Sequence, residues 1–246
     1  MNAKVLCLVL CCLASLAAHA QTITVSAAVS LGEAMREIAP MFEAAHPGQR
    51  VRVNVGASGA LVQQAVRGAP TDVLVTADSV TMDQAEAKGL LAPGSRVAMA
   101  SNTLVLIQKV GAAPLSSLDE LAGAQVGRIG MGQPDTVPAG RLAQGALEEA
   151  KLWPRVKPKV VTALNVRQVL DYVSRGEVDA GFVYASEAQR AGSKVRVALK
   201  VPTSPIVVAV APMVASTQSA IAARFVEFVQ TPRAQAVLVR HGYARP

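Results

Sequence analysis

Short runs of β-branched residues alternate with amphipathic helical patterns along most of this chain. In the first unit, Ile23, Val25 and Ala27 alternate as in a β-strand. The next apolar residues recur on one helical face: Leu31, Met35, Ile38 and Phe42. Repeated strand–helix units predict an α/β fold built on parallel sheets. With 51% hydrophobic residues, the chain can bury a core of this kind.

The same pattern predicts further strands at 51–55, 73–75, 126–129, 159–161 and 180–184, and further helices at 60–67, 82–88, 140–151 and 166–174. Two continuous apolar runs, 104–107 and 206–210, are typical of buried strands and lie far apart in the sequence. Only helical patterns follow the second run, one carrying Ile221, Phe225 and Phe228 and one from Pro232 to Gly242.

The two buried runs predict a double crossover between two α/β lobes, with the second lobe inserted into the first. Lobe 1 would comprise residues 21–102 plus 206–246, and lobe 2 would comprise residues 103–205. A ligand cleft would then lie at the interface between the lobes.

Residues 1–20 have the parts of a cleavable signal peptide. Lys4 precedes an apolar run over 5–18, and Ala18-His19-Ala20 is a small-x-small cleavage site. All three cysteines of the chain fall in this segment: Cys7, Cys11 and Cys12. A lipoprotein is the alternative, but the bulky Leu10 precedes Cys11, and the run is too short for a spanning helix. We therefore expect an exported, periplasmic protein that has no disulfide bonds.

The net charge favours encounter with anions. Lysines and arginines number 24 against 17 acidic residues, a balance of +7 that becomes +6 when Lys4 is removed with the signal peptide. Such an excess steers anions over long range. Nucleic acid is not the expected partner, because the basic residues are scattered singly and only 3% of residues are aromatic.

Four predicted helices begin at residues that suit anion binding. The four starts, two in each predicted lobe, are Ser30-Leu31-Gly32-Glu33, Gly56-Ala57-Ser58-Gly59, Val137-Pro138-Ala139-Gly140 and Asn165-Val166-Arg167. Taken singly, helix capping explains each one: Ser30 and Glu33 have the form of a capping box, and Asn165 is a good N-cap. Taken together, they would surround one point on lobe closure, and helix N-termini bind anions without a cation.

Four helix N-termini supply enough charge for a compact dianion, since each carries about half an elementary charge. Tyr184, at the end of a predicted strand, can add a phenolic donor, although a buried structural tyrosine explains the position equally well. Neutral donors also suit a protein that must release its ligand, because reopening a buried ion pair leaves an uncompensated charge. We predict an anion site made of neutral donors, at which no arginine or lysine need touch the ligand.

The chain lacks the parts of common catalytic sites. After residue 20 it has no cysteine and only two histidines, His46 and His241, both near predicted helix ends. Neither a Gly-x-Ser-x-Gly elbow nor a pair of histidines at i, i+4 is present. We interpret Asp72 and Asp78, which flank a strand, as partners of backbone groups near turns. The prediction is a binding protein, not an enzyme, with no cofactor and no direct metal-ion ligands.

Six segments resemble the periplasmic molybdate-binding proteins of ABC importers. In chain order they are Val25–Leu31 (VSAAVSL), Ala57–Leu61 (ASGAL), Gly68–Asp78 (GAPTDVLVTAD), Gln133–Gly140 (QPDTVPAG), Asn165–Arg167 (NVR) and Gly181–Tyr184 (GFVY). The resemblance implies a type II periplasmic-binding-protein fold that closes on molybdate or tungstate and delivers it to an inner-membrane permease, with the binding protein a monomer. It implies hydroxyl donors from Ser30 and Ser58, backbone N–H donors around Ala139 and Val166, and the phenol of Tyr184.

Three departures from that family leave selectivity open. Ala57 stands where many relatives have serine, Gln133 replaces a frequent acidic residue or asparagine, and Arg141 follows the Val-Pro-Ala-Gly turn. Two alternatives therefore remain: a carrier for another oxyanion such as sulfate, and a module that reports an oxyanion to a membrane sensor. Phosphate is disfavoured, because a protonated anion profits from a carboxylate acceptor and the proposed residues supply none.

Overall fold

A computed structural model describes residues 21–246 as two five-stranded sheets flanked by helices. The predicted signal peptide and its three cysteines lie outside the described residues. The strands are β1 (Gln21–Ala28), β2 (Gln49–Gly56), β3 (Val73–Thr76), β4 (Val97–Asn102), β5 (Leu104–Lys109), β6 (Ile129–Gly132), β7 (Val160–Ala163), β8 (Ala180–Tyr184), β9 (Val195–Lys200) and β10 (Ile206–Pro212). The α-helices are α1 (Gly32–Ala45), α2 (Ser58–Val66), α3 (Ser79–Ala87), α4 (Pro138–Glu149), α5 (Trp153–Val156), α6 (Val166–Arg175), α7 (Ala185–Ala191), α8 (Ser219–Phe228) and α9 (Pro232–Arg240).

The two sheets share one layout. The first has the strand order β2-β1-β3-β10-β4, and the second has the order β7-β6-β8-β5-β9. In each sheet three parallel strands are followed by a strand, β10 or β5, that runs antiparallel to both of its neighbours. We call the first sheet with α1–α3, α8 and α9 the first lobe, and the second sheet with α4–α7 the second lobe.

The chain passes between the lobes twice, from β4 to β5 through Thr103 and from β9 to β10 through residues 201–205. The predicted double crossover and the two-lobed α/β fold class are therefore confirmed. The lobe boundaries at residues 102/103 and 205/206 stay a prediction.

Helix α1 shows why the sequence forms these layers. The apolar residues spaced along one face of it and of the turn before it, from Leu31 to Phe42, are all buried. Phe42 packs edge-to-face on Phe225 and Phe228 of α8, with ring centroids 5.2 and 5.4 Å apart. This face joins α1 and α8 into the core of the first lobe.

Some predicted boundaries are wrong. The strand predicted at 126–129 is β6, which begins only at Ile129, because the N–H groups of Gly127 and Arg128 donate to Asp179 Oδ2 at 2.7 and 2.8 Å instead of pairing with a strand. Three helices, α2, α3 and α4, begin two or three residues before their predicted starts. In each case the residues assigned to the preceding turn form the first helical turn.

Candidate functional site

Strand register brings the helix starts of each lobe side by side. In the first lobe, the last residues of the parallel strands β1 and β2 are paired, Ala28 with Gly56, and the chain leaves them toward α1 and α2. In the second lobe, β6 and β7 end on the paired residues Gly132 and Ala163 before α4 and α6. Ligands of open α/β sheets collect outside such carboxyl ends of strands.

The four helix starts meet at one narrow cavity between the lobes. It is lined by Ala28, Val29, Ser30, Gly56, Ala57, Ser58 and Ala77 of the first lobe and by Val137, Pro138, Asn165, Val166 and Tyr184 of the second. None of these lining residues carries a charged side chain. The free volume of the cavity, about 10 Å³, is far below the roughly 300–1,000 Å³ of pockets for drug-sized ligands.

Four of the five predicted site residues line this cavity: Ser30, Ser58, Val166 and Tyr184. Ala139 does not; it is fully buried and directly follows the lining residue Pro138. Pro138 is the first residue of α4 and has no N–H, so the N–H of Ala139 is the first donor of that helix. Any hydrogen bond from the start of α4 to a ligand would therefore come from a backbone N–H group, since the Ala139 side chain has no donor.

Tyr184 places a neutral donor at the cavity. The residue is only 1% exposed, and its hydroxyl has no hydrogen-bond partner within residues 21–246. Burial, and after it the negative charge of Asp78, raises the pKa of the Tyr184 phenol well above its usual value of 10. The phenol thus keeps its proton. A buried donor without an acceptor is unfavourable, and an acceptor that binds beside it would satisfy it.

Ser58 is oriented by the residue that follows β3. The backbone N–H of Ala77 donates to Ser58 Oγ at 3.1 Å, and Ser58 makes no side-chain cap for α2. A serine hydroxyl that accepts this bond still has its own proton to donate. The Ser58 side chain can therefore act as a donor into the cavity that it lines.

The capping box predicted from Ser30 and Glu33 is wrong. Ser30 lies in a 3₁₀ turn, Val29–Leu31, and makes no cap for α1, which begins at Gly32. The Glu33 carboxylate instead accepts a hydrogen bond at 3.0 Å from Arg167 of the second lobe. Asn165, in contrast, caps α6 as predicted, with its Oδ1 accepting from the Gln168 N–H at 3.0 Å.

Backbone joins the two lobes beside the cavity. The Gly59 N–H, at the start of α2, donates to the carbonyl oxygen of Thr136 in the second lobe at 3.0 Å. A Cβ on Gly59 would lie 2.9 Å from both Cα and the carbonyl oxygen of Thr136. Glycine is therefore required at this position by the close approach of the lobes.

Two arginines of the second lobe bind carboxylates of the first. Arg141 Nη2 donates to Asp78 Oδ2 at 2.5 Å, and Arg167 Nη1 donates to Glu33 at 3.0 Å. The sequence places Arg141 and Arg167 at helix starts, but nothing local in it identifies their partners. The other oxygen of Asp78 caps α3 by accepting from the Thr81 N–H, which confirms the interpretation of Asp78 as a backbone partner.

Asp72 is also confirmed as a partner of backbone and turn groups. It accepts from the Thr24 N–H at 2.7 Å and from the Ser216 hydroxyl at 2.6 Å. Neither Asp72 nor Asp78 lines the cavity.

Tyr243 is a neighbour of the site that sequence reasoning missed. Burial raises its pKa to about 12, although the adjacent hydroxyls of Ser30 and Ser186 favour ionisation. Its position in the last residues of the chain gave no local signal, because only folding brings it beside Ser30.

Within residues 21–246, no three histidine, aspartate or glutamate side chains are grouped as a metal ion would require. In the same part of the chain, no helix is long and apolar enough to cross a membrane.

The sequence model of the bacterial extracellular solute-binding proteins matches residues 23–244. The chain belongs to this family. Members of the family bind solutes for ABC transporters and are not enzymes, so the prediction of a binding protein holds at that level. The type II fold and the resemblance to molybdate-binding proteins are likewise confirmed by the relatives below.

Two curated relatives extend over nearly the whole solute-binding protein. It is 34% identical to YvgL of Bacillus subtilis, named as an ABC transporter substrate-binding lipoprotein, over 90% of this chain and 86% of that protein. It is 31% identical to the molybdate-binding protein ModA of Escherichia coli over 90% of this chain and 88% of that one.

Solved structures agree on the fold. The periplasmic molybdate-binding protein of Azotobacter vinelandii superposes with a TM-score of 0.78 at 26% identity, covering 91% of this chain and 99% of that chain. The sulfate-binding protein SubI of Mycobacterium tuberculosis gives 0.80 at 18% identity, covering 91% and 86%, and shows the fold alone.

Proposed function

We propose that this solute-binding protein captures a tetrahedral oxyanion, molybdate or tungstate, in the interlobe cavity and delivers it to the permease of an ABC importer. One observation carries the proposal: the fully buried Tyr184 hydroxyl, with no acceptor within residues 21–246, belongs to a residue lining a cavity where helices from both lobes begin. The molybdate-binding relatives of Escherichia coli and Azotobacter vinelandii support the choice of ligand.

The binding groups are the neutral donors named from the sequence. Ser30 and Ser58 supply hydroxyl groups, the starts of α4 at Ala139 and of α6 at Val166 supply backbone N–H groups, and Tyr184 supplies its phenol. Each helix N-terminus adds about half a positive charge, and the four together match a dianion. The ligand is thus held without a cation, and no metal-ion ligands are needed.

The donor set separates the candidate anions. A hydrogen phosphate ion must itself donate a proton, and no carboxylate lines the cavity. Sulfate, like molybdate, only accepts hydrogen bonds and differs mainly in size. The molybdate-binding relatives therefore decide the order: we rank molybdate and tungstate first and sulfate as their sharpest competitor.

The site of action follows from the transport role. We propose that residues 1–20 are removed on export and that the protein works as a periplasmic monomer. Closure over the ligand would present both lobe surfaces to the permease in one arrangement.

Thermal unfolding with a panel of molybdate, tungstate, sulfate and phosphate tests the ligand class. A ligand at 100 times its Kd adds about 2.7 kcal/mol to the free energy of unfolding. For a chain of this length that corresponds to roughly 5–10 °C in Tm. We expect this rise with molybdate and tungstate. A rise with sulfate alone would make the ligand assignment wrong, and no rise with any of the four would remove the oxyanion site.

A further inference from the structure

Arg141 is charged and lies one turn inside the cavity-lining start of α4, yet it does not line the cavity. Its guanidinium crosses to the first lobe, where Nη2 donates to Asp78 at 2.5 Å and to the Thr81 hydroxyl at 3.2 Å. Asp78 is buried, with 6% of its side chain exposed, whereas the Arg141 side chain is 31% exposed. The carboxylate therefore depends on the other lobe for its counter-charge.

Asp78 lies close enough to the oxyanion site to affect it. It directly follows the lining residue Ala77, whose N–H orients Ser58. Its negative charge acts on the Tyr184 phenol in the direction that raises the pKa, and the charge of Arg141 acts on the same phenol in the opposite direction. A dianion beside that phenol would be repelled by the charge of Asp78, and the charge of Arg141 would offset this repulsion.

We propose that Arg141 is a positioning residue that sets oxyanion affinity through Asp78, by neutralising this buried carboxylate when the lobes close, and that it does not contact the ligand. The inference rests on the proposed function and deepens it. Opening the lobes withdraws Arg141 and leaves the Asp78 carboxylate, next to Ala77 and Ser58, without its counter-charge. The same motion that exposes the ligand thereby also weakens its electrostatic hold.

Arg167, at the start of α6, is likewise paired with a carboxylate of the first lobe. It too crosses the cleft, to Glu33, and lies 3.5 Å from the buried Glu187. Both arginines that begin helices at the cavity are thus engaged by carboxylates.

Calorimetric titration of molybdate into a charge cycle tests the inference. The proteins are the wild type, Arg141→Gln, Asp78→Asn and the double variant, with Arg141→Lys as the variant that keeps the charge. Asparagine can still cap α3, so Asp78→Asn preserves the helix start. Arg96→Gln is the matched control, because it removes the same charge from a pair with Asp83 and Glu86 that lies within the first lobe.

We expect Arg141→Gln to weaken molybdate binding about tenfold or more, since it leaves a buried carboxylate without its counter-charge near a dianion. Asp78→Asn should bind at least as tightly as the wild type. The double variant should return to within about threefold of the wild type, Arg141→Lys should keep most of the affinity, and the control should be unchanged.

Two results with the variants would overturn the inference. If Asp78→Asn does not rescue Arg141→Gln, the guanidinium acts on the ligand directly. If Asp78→Asn weakens binding as much as Arg141→Gln does, the pair acts as a mechanical contact. Should Arg141→Gln fail to fold, the affinities of Asp78→Asn and of the double variant are compared instead. They are expected to be equal, because Arg141 acts only through Asp78. A wild type that binds no oxyanion refutes the proposed function, and this inference with it, and is recognised before any variant is compared.

Discussion

Replacing Tyr184 with phenylalanine tests the proposed phenolic donor, because it removes one hydroxyl and keeps the ring. The ring packs in the core at the end of β8, and the hydroxyl has no protein partner within the described residues. Its loss therefore breaks no hydrogen bond of the ligand-free protein. Any weakening of binding can then be assigned to the ligand contact.

The expected magnitude follows from the type of bond. A hydrogen bond to a charged group contributes about 1.5–3 kcal/mol, which corresponds to roughly 10- to 150-fold in affinity. The ligand-free variant should be at least as stable as the wild type, because an unsatisfied buried hydroxyl costs about 1–3 kcal/mol. Affinity and ligand-free stability are thus expected to respond differently to one change.

Calorimetric titration with molybdate gives the affinity, and thermal unfolding without ligand gives the stability. Tyr172→Phe is the matched control in the same lobe: its hydroxyl accepts from Gln168 at 2.8 Å on α6 and does not line the cavity. Unchanged affinity in Tyr184→Phe would remove the phenol from the site. A ligand-free Tm several degrees below the wild type would show that the hydroxyl is structural.

Three further perturbations test the geometry. Gly59→Ala should weaken molybdate binding about tenfold or more in calorimetry, because the added Cβ blocks lobe closure. The control Gly145→Ala, where the new Cβ on α4 meets open space, should leave the affinity unchanged and raise Tm by roughly 2–4 °C. Equal affinities in these two variants would refute the blocked closure. Ser58→Ala should lower both the affinity for molybdate and the free energy of unfolding, the latter by about 1–3 kcal/mol in urea, because the Ala77 N–H loses its acceptor. A variant as stable as the wild type would contradict this. The free energy of unfolding should fall as pH rises from 10 to about 12, by up to about 3 kcal/mol for Tyr243. The reason is that this tyrosine ionises at a lower pH in the unfolded chain than in the folded one. Urea titrations in which the free energy of unfolding does not change over this pH range would contradict the prediction.

Helix starts and buried strands were predictable because their signals are local. The bounds of β8 agree with the predicted strand, and α6 begins at the predicted Val166 after its Asn165 cap. Pro138 likewise marks the first turn of α4. Most of the cavity lining could therefore be located from the sequence alone.

The elements that were missed have weaker local signals. Strands β4 and β9 are only partly buried, and polar or charged residues border or interrupt their short apolar stretches. Helix α7 follows β8 without an intervening turn, and its N-cap is Tyr184 itself. Contacts across the cleft, such as that of Arg141 with Asp78, depend on two segments 63 residues apart and could not be predicted from spacing.

The position of β10 in the first sheet has a consequence for the order of folding. β10 lies between β3 and β4, and all strands of the second sheet come before it in the chain. The second sheet can therefore assemble as one uninterrupted stretch, whereas the first waits for residues synthesised near the end. A ribosome-bound chain that stops short of Ile206 would present β3 and β4 as unpaired edges, which are templates for aggregation.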